Sequence, residues 1–114
     1  MQLMILEIND IDYKEDVFLA LQSVGINQAS CLSGENLDKS LESEFSLFTG
    51  FFRDRGERAG EQLLVLARIP GVETAKELIA NLRLTDIPFE KEHIISLSVI
   101  PLSLSFSLSE GLIE

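Results

Sequence analysis

The chain has one cysteine, one histidine and no tryptophan in 114 residues. A lone thiol makes no internal disulfide, and one Cys with one His falls short of the three or four ligands a zinc site needs. Both shortages point to a reduced, cytoplasmic setting. Bases are scarce as well: nine Lys and Arg stand against nineteen Asp and Glu, for a net charge of −10. Nucleic-acid binding draws on counterion release by a basic surface, so no DNA or RNA partner is expected. Long apolar runs are missing. Leu3 to Leu6 is apolar, but Glu7 ends it and no basic flank precedes it. It is far shorter than a signal peptide's core or a span of about 18 apolar residues, so no membrane insertion is expected. Neither nucleotide-binding glycine fingerprint, G-x-G-x-x-G or G-x-x-x-x-G-K-[ST], occurs. Three prolines, seven glycines and no low-complexity tract exclude a disordered chain.

What remains is 46% hydrophobic and 25% charged, enough to bury a core in a single domain spanning residues 1–114. Residues 3–8 are apolar on both alternating faces up to Glu7, which suits a strand in the middle of a sheet. Asp12 and Glu15 have capping-box spacing, and Tyr13, Val17, Ala20, Leu21 and Val24 then recur at helical intervals. They predict a helix over about 13–24, with Gly25 as its left-handed C-terminal residue. The short, more polar stretch 28–34 fits an edge strand. Leu63 to Ala67 is again apolar on both faces, and Pro70-Gly71 ends it. Val72, Ala75, Leu78, Ile79 and Leu82 predict a second helix over about 72–84. Ile95-Ser96-Leu97-Ser98-Val99 alternates with a period of two, as a half-buried edge strand does, and the alternation continues through the 102–114 extension as a further strand.

This order predicts an α+β, ferredoxin-like βαββαβ domain with an antiparallel sheet in the order 4-1-3-2 and both helices on one face. The two strands that lack polar alternation would then be the central ones. The other sheet face has no helix to cover it, and oligomerisation is the simplest cover.

The connection 35–60 is far longer than a hairpin requires. Leu41, Phe45, Phe48 and Phe52 fall at helical spacing with Leu47 and Phe51 beside them, so a short Phe-rich amphipathic helix is expected. Two readings stay open for it: a helix closing its own domain or an oligomer interface, or a lid over a ligand cleft. Arg53, Arg55 and Arg58 follow directly, three of the nine bases in six residues. Guanidinium groups grip phosphate or carboxylate through paired hydrogen bonds, which makes these three, with Arg68 at a strand end, the candidate anion contacts, and Phe48 and Phe52 their apolar wall. The alternative is an exposed ion-pair cluster with Asp54 and Glu57. Cys31 and His93 fall on opposite edges of the expected sheet, which argues against a nucleophile–base pair. A buried small side chain for Cys31 and a strand-end polar residue for His93 are the expected roles. No catalytic or metal-binding set emerges, and the chain reads as a non-enzyme.

Met4-Ile5-Leu6-Glu7, Asp16 to Leu21 and the helix exit Val24-Gly25-Ile26-Asn27-Gln28-Ala29-Ser30 resemble the start of the nitrogen regulatory protein PII superfamily. Leu47-Phe48-Thr49-Gly50-Phe51-Phe52-Arg53-Asp54 is similar to a segment of its smaller PII-like members, and Ile100-Pro101 stands where those have valine or leucine before proline. The resemblance covers most of residues 1–101. It implies a cytoplasmic homotrimer whose sheets pack around a threefold axis. It also implies small effectors bound between subunits, with the adenine nucleotides ATP, ADP and AMP as candidates, and a protein partner to which the signal passes. The chain departs from the family pattern at two places. Leu84 to Glu92 has no glycine where the family has a glycine-rich phosphate loop, and the only tyrosine, Tyr13, starts a helix instead of sitting in a long effector loop. Two further readings are kept: a structural or protein-interaction module without a small ligand, and a small ferredoxin-like enzyme.

Overall fold

A computed structural model describes residues 1–37, 60–90 and 92–114. Its elements are β1 (Gln2–Ile8), a single 3-10 turn (Ile11–Tyr13), α1 (Lys14–Ser23), β2 (Ala29–Glu35), β3 (Glu61–Ile69), α2 (Val72–Arg83), β4 (Ile95–Pro101) and a small hairpin of β5 (Ser105–Ser107) and β6 (Gly111–Ile113). The main sheet is antiparallel throughout, in the order β2-β3-β1-β4. Read from the other edge, that is the expected order, with the two doubly apolar strands in the centre.

Side-chain alternation divides the sheet into two unlike faces. Met4, Leu6 and Ile8 of β1 stand opposite Ala67, Val65 and Leu63 of β3 on one side and Val99, Leu97 and Ile95 of β4 on the other. The β1 trio, Val65 and Ala67 are buried together with Val17, Ala20 and Leu21 of α1 and Ala75, Leu78 and Leu82 of α2. Both helices therefore cover the same face, and the core lies between them and the central strands. The opposite face carries Leu3, Ile5, Leu32, Leu64, Leu66 and Ile100, together with the charged Glu7 and Arg68 and the polar Ser30, Gln62, Ser96 and Ser98.

α1 begins differently from the expectation. Asp10, not Asp12, supplies the cap, and its carboxylate accepts from the Asp12 amide at 3.0 Å. The turn Ile11–Tyr13 intervenes, so Tyr13 rather than Asp12 occupies the N-cap position and makes no side-chain capping bond. The exit is as expected: Gly25 has φ +80°. The Ile26 amide donates to the Leu21 carbonyl at 2.9 Å and the Gly25 amide to the Gln22 carbonyl at 3.0 Å. This double closure satisfies two terminal carbonyls and delivers Ile26 into the core beside Leu21.

α2 stops at Arg83, where the Thr85 hydroxyl donates to the Leu82 carbonyl at 2.6 Å and Pro88 follows shortly after. Of the apolar positions expected on its inner side, Val72 is exposed, because it lies at the first turn beyond the edge of the core. The irregular stretch before β4 contributes Phe89 and Ile94 to the core instead. It is tied to the end of β1 by Asn9, whose amide nitrogens reach the Ile94 carbonyl at 2.7 Å (backbone) and the His93 carbonyl at 3.0 Å (side chain). The Asn9 side-chain oxygen accepts from Gln62 Nε2 at 3.0 Å, which gives that buried amide a partner.

The C-terminal extension is not one further strand of the main sheet. It folds back at Ser107–Gly111 as a separate two-stranded sheet, with Gly111 at φ +75°. The first residue after β4 is anchored by the Leu102 amide, which donates to the Met1 carbonyl at 3.2 Å.

Candidate functional site

Arg68 is the one candidate anion contact among the described residues; Phe48, Phe52, Arg53, Arg55 and Arg58 lie outside them, as does the expected Phe-rich helix. In β3, Arg68 alternates with the buried Ala67 and Ile69 and so projects from the open face, opposite Leu3 of β1. Its Nη1 donates to the Ser105 hydroxyl at 3.2 Å and to the Phe106 carbonyl at 3.4 Å. Ser105 is only 6% exposed. The guanidinium thus fastens the β5–β6 hairpin to the open face through neutral acceptors, and it has no carboxylate partner among the described residues.

The hairpin brings apolar surface with it. Leu104, Phe106, Leu108 and Leu112 are all exposed, as are Leu32 and Ile100 on the edge strands of the open face. Leu3, Ile5, Leu64 and Leu66 nearer the centre are half-buried. The alternation of the 102–114 extension was legible in the sequence, but its acceptors for Arg68 were not. Ser105 lies 37 positions away, and no local pattern connects the two.

Cys31 and His93 remain apart, on β2 and just before β4, at opposite edges of the sheet. The expectation that Cys31 is buried is overturned: its thiol is exposed. It points to the helix side of β2, opposite Val65, yet every β2 residue but Gly34 is exposed, because the two helices cover the central strands and, among the described residues, nothing covers this edge. His93 is exposed and has φ +51°, a left-handed turn that sets up the start of β4. Among the described residues no group of three or more His, Cys, Asp or Glu is placed to hold a metal ion.

The segment Leu84 to Pro88, where the family resemblance would place a phosphate loop, wraps against α1 and lines a cavity there. It presents the Asp86 carboxylate and no glycine. An anion would meet like charge at this place, whereas Arg68 lies on the opposite side of the sheet. No helix among the described residues is long and apolar enough to cross a membrane. No protein-family model matches the chain, and no curated protein matches its sequence.

Proposed function

We propose that this chain is a PII-like, non-enzymatic regulatory protein with a ferredoxin-like βαββαβ fold. It assembles as a homotrimer through the open sheet face, senses a small anionic effector at the clefts between subunits, and passes the signal to a protein partner. The observation that carries this reading is the asymmetry of the sheet. One face is buried under two helices, while the other has no helix over it among the described residues and bears Leu3, Ile5, Leu64 and Leu66 on its central strands, flanked by Leu32 and Ile100 and by the polar Ser30, Ser96, Ser98, Glu7 and Arg68. An apolar sheet face of this kind is stable in water when a second copy covers it, and closed symmetry lets every copy do so.

Arg68 would stand at the margin of that interface as the effector contact, with Arg53, Arg55 and Arg58 and the wall of Phe48 and Phe52 supplied by the 35–60 connection. ATP, ADP and AMP are the first effectors to try, with 2-oxoacids beside them. The test is a thermal-shift titration at low salt, with and without magnesium, on protein of known solution mass. An effector at about 100 times its dissociation constant stabilises by roughly 2.7 kcal/mol, and replacing the four arginines by alanine should abolish that shift. The exposed Phe106, Leu108 and Leu112 of the hairpin favour a second reading, an interaction module without a small ligand. A trimer that shows no shift with any nucleotide or 2-oxoacid would favour it.

A further inference from the structure

On the other side of the molecule, remote from the open sheet face, a cavity of about 620 Å³ opens between α1 and the segment that follows α2. One wall is Tyr13 at the N-cap of α1 and the stripe Asp16, Ala20 and Ser23 that continues from it, with Leu19 at its margin. The other is Asn81 and the run Leu84–Pro88. One point of the boundary is fixed, because Asn81 Nδ2 donates to the Ser23 hydroxyl at 3.0 Å and that hydroxyl donates to the Ala20 carbonyl at 2.7 Å.

Two properties of this groove define what would fit it. Leu19 and Leu84 are 63% and 86% exposed on its two walls. Among the described residues, the only charged side chains lining it are the carboxylates of Asp16 and Asp86. Neither has a basic partner among the described residues, whereas the nearby Arg83 is spent on Glu90. An apolar floor between two exposed carboxylates is complementary to an apolar side chain flanked by cations. The chain's own exposed apolar hairpin lacks that complement, since residues 102–114 contain Glu110 and Glu114 and no base.

We propose that this groove docks a basic amphipathic helical segment of a partner protein. Leu or Phe side chains of the segment would seat between Leu19 and Leu84, and its Lys or Arg side chains would meet Asp16 and Asp86. Such a segment carries its anchors at three- and four-residue spacing, which matches the stripe of α1 against which it would lie.

The probe is a fluorescein-labelled helical peptide of about 16 residues, with leucines on one face and lysines flanking them, titrated with the full chain by anisotropy. A scrambled peptide of the same composition and a glutamate-for-lysine version serve as controls. The amphipathic peptide should bind, the controls should not, and Leu19→Ser with Leu84→Ser should weaken binding at least about tenfold. Asp16→Asn with Asp86→Asn should weaken it similarly, while Glu73→Gln with Glu77→Gln, which removes the same charge elsewhere, should not. These side chains are exposed, so each variant should fold, and circular dichroism checks it. Equal losses from both pairs of charge changes would overturn the proposal in favour of general attraction to an acidic protein. Equal binding of the scrambled peptide, or no binding at all, would also overturn it. So would a fall in the solution mass of the leucine double variant, which would make the groove a contact between copies of this chain.

Discussion

Replacing Arg68 by methionine keeps most of the side chain's apolar stem and removes both bonds that fasten the hairpin to the open face. The bond to Ser105 is 3.2 Å long and involves a nearly buried hydroxyl; that to the Phe106 carbonyl is 3.4 Å long and exposed. Hydrogen bonds to a charged group contribute about 1.5–3 kcal/mol net, and the long, wet one contributes least. Solvent screening of a partly exposed guanidinium takes the sum toward the lower limit, about 1.5 kcal/mol. A two-stranded hairpin with three-residue strands has little stability of its own, so this loss falls on the hairpin alone. Amide hydrogen exchange read by mass spectrometry should therefore quicken about tenfold across residues 105–113, with β1 and β3 unchanged. Unchanged exchange in the hairpin would refute the tether. Equal acceleration in β1 would show that Arg68 supports the whole fold instead.

Other perturbations separate the two faces of the sheet and its local devices. Leu6→Ala, at a fully buried core position, should lower folding stability by about 2–5 kcal/mol in denaturant titration, whereas its neighbour Ile5→Lys, on the open face, should leave the far-ultraviolet circular dichroism of the subunit unchanged and abolish assembly in light scattering. Gly25→Ala should cost about 1 kcal/mol in the same titration; a methyl there meets no atom within 4 Å, so the cost comes from the left-handed backbone alone. Asn9→Ala strands the buried Gln62 amide and should cost about 1–3 kcal/mol, while Gln62→Leu in the same background should restore part of it. Cys31 should react with a maleimide in the folded protein as readily as in denaturant, and protection in the folded state would contradict the bare β2 edge.

Where local chemistry and burial coincide, the fold was legible. Leu3 to Leu6 and Leu63 to Ala67 lack polar alternation because each strand has neighbours on both sides, and the order β2-β3-β1-β4 puts them in the centre. Gly25 was readable because only one backbone geometry closes α1 in that way. Failures came where a side chain's environment is set by distant elements. Cys31 has the character of a core residue, but the reach of two helices over the sheet decides its exposure, and they stop short of β2. Asp10 and Asp12 are equally good caps by composition; the inserted 3-10 turn selects Asp10. Phe89 and Ile94 enter the core from a stretch without periodicity, held in place by Asn9 from the far end of β1. The acidic groove was hidden for a similar reason, since Asp16 and Asp86 are each unremarkable in their own helix or loop and acquire meaning only when α1 and the 84–88 segment are packed side by side.

The open sheet face bears most directly on function, and its test is the solution mass of the full chain by multi-angle light scattering, followed by adenine-nucleotide titration of the same sample. A trimer of about 38 kDa, three times the 12.7 kDa chain, whose melting temperature rises with nucleotide and not in the variant lacking the four arginines, is the result expected of an anion-sensing assembly. A 12.7 kDa monomer, stable with Leu3, Ile5, Leu64 and Leu66 facing water, would contradict it.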